Sequence, residues 1–175
     1  MNISRLKLLK GITLLLIVAI ILSSCGRNVM YLTKKPITFS ELSTLINSGN
    51  TNDVSLTIYY LSPFILTRAP LSVNDLINHN DIKKIVVDGN HLDLLVRINN
   101  TSLIPVEQNT YLNARLYYVF ETENKCKVFD VGLWGGDNNS IFVNGIEIEE
   151  NDIFYDLIMP FLPKSAVDEI KAYMN

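Results

Sequence analysis

An α+β domain built on an antiparallel sheet is the fold class this sequence predicts, with a C-terminal strand meander and helices packed mainly on one face. Two observations carry the prediction. Residues 112–148 alternate apolar and polar positions through several short runs broken by turn-forming residues, and Asn144-Gly145 stands between Val143 and Ile146 as a type I′ hairpin signal. Upstream, helical and strand patterns alternate singly, and further helical pattern closes the chain.

The first helix is predicted from Thr38. Thr38 and Glu41 have capping-box spacing, Ile37 and Leu42 occupy the staple positions, and Phe39, Leu42, Leu45 and Ile46 form one apolar stripe ending at Gly49. Val54 to Leu61 then alternates, with Val54, Leu56, Ile58 and Tyr60 on one face and Ser55, Thr57 and Tyr59 on the other, which is a strand. Residues 62–71 contain Pro63 and Pro70 and read as a loop, after which Ser72 and Asp75 cap a short helix through about Asn78. Ile82 to Val87 reads as a strand, and Asn90 with Asp93 opens a helix carrying Leu92, Leu95 and Ile98.

In the meander, Leu112, Ala114, Leu116, Tyr118 and Phe120 are expected on one face, and a turn near Glu123-Asn124 leads to a strand from Lys127 to Trp134. Residues 135–139 are loop by composition, and strands follow at Ser140–Val143 and Ile146–Ile148. A helix from Asn151 to Met159 exposes Ile153, Phe154, Leu157 and Ile158 to the core until Pro160 interrupts it, and Ser165 with Asp168 restarts a last helix to about Tyr173.

The amino terminus has a different character. Arg5, Lys7 and Lys10 precede an apolar run from Ile12 to Leu22, and Leu22-Ser23-Ser24-Cys25 closes it. Eleven residues reach about 16 Å as a helix against a hydrocarbon core of about 30 Å, so a permanent span is disfavoured and export is expected. The final four residues resemble the lipobox of bacterial lipoproteins. That resemblance covers only the signal segment. It implies removal of residues 1–24, acylation of Cys25, a lipidated tether over residues 25–36 and a single domain over 37–175. It also implies a cell membrane location on the extracytoplasmic face, or an outer membrane if the host has one. Two or three acyl chains suffice for stable anchoring.

Taking away residues 1–24 leaves 151 of 175 residues and removes three Lys or Arg and no acid, so twelve cations face 18 acids for a net charge of −6. That balance argues against nucleic acid as a partner. With Cys25 acylated, Cys126 is the remaining thiol, and no disulfide within the mature chain is expected.

Catalytic signals are sparse. His79 and His91 lie in no zinc-ligand spacing, and surface or capping roles are expected for both. No nucleophile elbow, Walker loop, dinucleotide fingerprint or Cys-x-x-Cys occurs, so no catalytic, metal or cofactor residue is assigned. Glu147, Glu149, Glu150 and Asp152 cluster at a strand-to-helix junction, where Glu147 and Glu149 are read as a solvent face. Tyr59 and Tyr117, with Trp134, form the candidate partner surface if the second sheet face is open; a helix layer or loop covering that face is the competing expectation. The functional expectation is therefore a non-enzymatic binding or accessory module anchored in the membrane through Cys25, with an envelope protein or glycan as partner. Small-ligand capture and an envelope hydrolase without a recognisable motif remain open.

Overall fold

In a computed structural model the protein is described over residues 54–106, 112–122, 126–133 and 140–174, which fall in one compact unit. The signal segment, the tether, the expected helix from Thr38 and the turn at residues 123–125 lie outside the described residues.

Alternation in β1 (Val54–Tyr60) matches the expected strand. Ser72 then caps α1 (Val73–Ile77) through a full capping box, its side chain accepting from the Asp75 N–H while the Asp75 carboxylate accepts from the Ser72 N–H. β2 (Lys83–Val87) and α2 (Leu92–Asn99) follow. The amide oxygen of Asn90 accepts from Leu92 N–H at 3.1 Å and from Val54 N–H at 3.3 Å, so the residue expected to open α2 also ties it to the start of β1.

Next come β3 (Leu116–Thr122), β4 (Lys127–Leu133), β5 (Ile141–Val143) and β6 (Ile146–Ile148). Asn144 and Gly145 have φ of 49° and 81°, as a type I′ turn requires. α3 (Ile153–Asp156), a 3₁₀ turn at Met159–Phe161 and α4 (Lys164–Met174) complete the chain. The expected helix through Met159 is shortened to α3, and Pro160 sits in the tighter turn that ends it.

The six strands form one open antiparallel sheet in the order β2-β1-β3-β4-β5-β6, so β3 to β6 is a meander. Residues 103–106 run along β6, with Val106 N–H donating to the Glu147 carbonyl at 3.1 Å and Glu149 N–H to the Ile104 carbonyl at 2.8 Å. β2 ends the sheet on the other side. Its Lys83 and Lys84 lie opposite Tyr60 and Tyr59, and each ammonium stands 5.6 Å from the facing ring centroid.

Register places Leu56, Phe120 and Phe129 in one row, and Ile58, Tyr118, Val131 and Val143 in the next, all on one face and all buried. Two hydrogen bonds tie this face to the C-terminal helices: Tyr118 Oη donates to the Phe154 carbonyl at 3.1 Å, and Tyr60 Oη to Glu169 Oε2 at 2.6 Å. The Tyr60 hydroxyl holds the Glu169 carboxyl below its usual range. His91, expected at the surface or as a cap, stands at the N-cap of α2 without a side-chain cap bond, and its ring is buried rather than at the surface, its Nε2 3.2 Å from the Val87 carbonyl and its ring edge-on to Phe161. Glu147 departs from its expectation too. Its neighbours Ile146 and Ile148 face the first core, and Glu147, opposite Phe142 on the other face, is 7 % exposed rather than solvated.

Leu112 and Ala114 break the alternation expected of them. Ala114 belongs to the second-face cluster of Leu61, Leu76, Tyr117 and Val119, and Leu112 packs against that cluster, close over Gly132. The regular strand begins only at Leu116, after a bend at Arg115.

Candidate functional site

The Tyr59/Tyr117 face is where a recognition surface was expected. Antiparallel register brings the two tyrosines directly opposite each other, with ring centroids 5.9 Å apart and planes tilted by 35°. They do not form an open patch. Tyr117 is 6 % exposed, because Leu76 of α1 and Leu61 pack in its cluster and Ile65, Leu71, Val73 and Ile77 close around it. Residues read as a mere connector thus supply apolar cover for the second sheet face. Trp134 and Cys25 lie outside the described residues.

Beneath this cover Tyr117 has a structural task. Its hydroxyl donates to Asp130 Oδ2 at 3.0 Å, and Lys127 Nζ donates to the same oxygen at 2.9 Å. Asn144 Oδ1 accepts from the Asp130 N–H, also at 2.9 Å, so the β5–β6 turn is buttoned to β4. Burial, followed by the Asp130 charge, pushes the Tyr117 phenol well above its ordinary value.

What remains accessible is the outer side of the covering segment. Residues 62–71 are tied down at both ends: Leu61 N–H donates to the Arg115 carbonyl at 2.8 Å, Ala114 N–H to the Leu71 carbonyl at 2.8 Å, and Leu71 N–H to Asn113 Oδ1 at 3.1 Å. Arg115 fastens the middle. The residue is 8 % exposed, and its guanidinium donates to Thr67 Oγ1 at 3.0 Å, while Thr67 Oγ1 in turn donates to the Ala69 carbonyl at 2.9 Å. No carboxylate forms a salt bridge with Arg115 among the described residues, and burial pulls its pKa below the ordinary value. A buried cation held by neutral acceptors is costly to leave unmet, so these bonds constrain the loop.

Between this loop and α1 lies an open groove of about 690 Å³, walled by Leu66 to Leu71 on one side and by Asn74, Asn78, His79 and Asn80 on the other. His79 Nδ1 accepts from the Asp81 N–H at 3.2 Å, which turns this ring nitrogen away from metal ligation. The groove offers amide donors and acceptors with one cation, Arg68, and one carboxylate, Asp75, already engaged in the cap. Such a lining suits polar recognition and assembles no nucleophile with a base. Among the described residues no group of three His, Cys, Asp or Glu could hold a metal ion, and no helix is long and apolar enough to cross a membrane.

The Ser72→Ala variant tests how the groove wall is built. Hydrogen bonds from Ser72, first from its side chain and then from its backbone, hold the Asp75 carboxyl below its usual range. Loss of the hydroxyl is expected to raise the Asp75 pKa toward the ordinary value in an NMR titration, and an unchanged value would contradict the cap geometry.

Cys126 also departs from expectation: it is disulfide-bonded in the structure rather than a lone thiol. Acylation of Cys25, the chain's other cysteine, leaves no second cysteine within the chain for such a bond, so the two chemistries are alternatives. No protein-family model, curated protein or solved structure matches this chain.

Proposed function

We propose that the chain is a lipoprotein of a bacterial cell envelope, held on the extracytoplasmic face of a membrane by lipid on Cys25, where it serves as a non-enzymatic binding or accessory module. The observation that carries this reading is the lipobox-like Leu22-Ser23-Ser24-Cys25 directly after an apolar run too short to span. In this reading the helices keep mainly to the Leu56/Phe120 face and build the scaffold. Recognition falls to the loop of residues 62–71 with α1, because the aromatic face beneath them is covered. The polar groove beside α1 favours a second reading, capture of a small polar ligand, over an unrecognised hydrolase.

The test is Cys25→Ala expressed in full length. The wild-type chain is expected to carry acyl mass on Cys25 and to start there, whereas the variant keeps residues 1–24 and carries none. Normal acylation of the variant overturns the anchor. A wild-type mass that shows Cys25 and Cys126 oxidised together overturns it equally. Crosslinking in the native envelope, with the variant as the localisation control, then separates the two binding readings: a protein or glycan partner supports recognition, and no partner moves the weight to the groove ligand.

A further inference from the structure

The loop of residues 62–71 carries a feature that neither the cover of Tyr117 nor the groove explains. Its side chains are sorted. Pro63 is buried and Ile65 packs inward on the Tyr117 cluster, while Phe64 and Leu66 between and beyond them point out, 59 % and 97 % exposed. Tyr173 of α4, half exposed, meets Phe64 edge-on with centroids 6.3 Å apart. The tip is also stiff for a loop: Ser62 accepts from Ile65 N–H at 3.1 Å, and the Arg115–Thr67 bond pins the residue after Leu66.

Charge singles out the same segment. From Leu61 to Asn74 there is no acidic residue and one cation, Arg68, in a chain whose mature form carries 18 acids against twelve cations. The geometry points to a lipid surface as the partner of this tip: Phe64 and Leu66 enter the boundary between headgroups and acyl chains, with Tyr173 and Arg68 at headgroup level. The inference rests on the lipid-anchor reading.

Three physical arguments select a bilayer. Two large, exposed apolar side chains on a pinned tip need no matching pocket in a fluid partner, whereas a protein partner must supply one. Aromatic rings and an arginine beside aliphatic tips are the side chains that settle at membrane interfaces. Lastly, the bulk acidity of the domain opposes docking on anionic lipid through charge alone, and with Glu169 and Asp75 flanking the loop from α4 and α1 the contact falls to the apolar tip side chains, assisted by Arg68. Tethering makes a weak contact sufficient, since the anchor holds the tip at high local concentration over the bilayer. The tether expected over residues 25–36 spans up to roughly 40 Å when extended, so chain length does not forbid the approach.

The experiment uses the full lipidated chain reconstituted in vesicles of phosphatidylethanolamine and phosphatidylglycerol, with Leu66→Trp as reporter. Leu66 has almost no buried surface, so the substitution leaves folding intact, and the difference from the wild-type spectrum isolates the new indole from Trp134. A second reporter, Lys127→Trp, sits at the opposite end of β4 from Leu133, whose carbonyl accepts from Arg115 N–H, about 20 Å away along the strand. Lipids brominated near the headgroup are expected to quench position 66, with a blue shift, and to leave position 127 unquenched. A chain that floats with the vesicles while position 66 stays unquenched overturns the tip contact and leaves the anchor standing. Failure to float overturns the anchor and the tip contact with it. Shielding of position 66 in whole envelopes but not in protein-free vesicles assigns the tip to a protein and also overturns the proposal.

Discussion

Replacing Phe120 by Ala is expected to lower the unfolding free energy of the chain by about 3–5 kcal/mol, a large part of the 5–15 kcal/mol typical of a domain. Phe120 is fully buried on the inner face of β3, the first strand of the meander, with its ring 6.1 Å from Tyr118 and 6.3 Å from Phe129, and β1 supplies Leu56 directly opposite. Sheet residues on both sides hold the backbone in place, so the site cannot collapse onto the vacancy. Urea denaturation measures the loss. Phe64→Ala is the contrast: its ring is mostly in water, and the change should stay within about 0.5 kcal/mol. Equal losses at the two positions would contradict the assignment of core and tip.

Alkaline pH is expected to unfold the domain cooperatively. Burial raises the phenols of Tyr60, Tyr117, Tyr118 and Tyr155 above their ordinary value, most simply for Tyr118, which is fully enclosed and donates to the Phe154 carbonyl. A raised folded value means the folded state favours the neutral phenol. The stabilisation is therefore complete below about pH 10, where unfolded tyrosine begins to ionise, and is lost as the pH climbs toward the folded values. The fully enclosed Tyr118 gives the largest slope, up to about 1.4 kcal/mol per pH unit above 10, and the less enclosed Tyr155, Tyr117 and Tyr60 add smaller ones. The tyrosinate absorbance of the four buried rings, half of the chain's eight tyrosines, should rise in one steep step together with the change in circular dichroism. Ionisation of all eight tyrosines near pH 10 with secondary structure retained would contradict the burial of these rings.

Where the sequence carried a strict local rule, it was read correctly. The Ser72–Asp75 capping box, the Asn144-Gly145 turn and the alternation of β1 each involve residues within a few positions of one another, and each is present. Errors arose where a neighbour distant in sequence decided the outcome. Glu147 alternates like a solvent-facing strand residue, yet it lies beside Phe142 on a covered face, and His91 is drawn inward by Phe161, 70 positions on. The covered aromatic face could have been anticipated. Val73, Leu76 and Ile77 form an i, i+3, i+4 stripe that needs an apolar partner, and the second face of the sheet was the surface left to receive it. The tip at Phe64 and Leu66 gave a weaker signal, an apolar run between two prolines, because sequence spacing does not say which of its side chains turn out.

The lysines of β2 guard the terminal edge of the sheet, and under the proposed lipid anchor that guard gains weight. In that reading tethering would turn a dilute solute into a crowded two-dimensional population, where sheet edges would meet far more often than in bulk. A bare terminal strand of Ile85, Val86 and Val87 would invite one copy to extend the sheet of the next, the first step toward fibrillar stacking. Lys83 and Lys84, held over Tyr60 and Tyr59, place two cations on that strand, so an approaching copy of β2 meets its own charge. The same pair that clasps β2 to β1 thus also opposes edge-to-edge pairing of neighbouring copies.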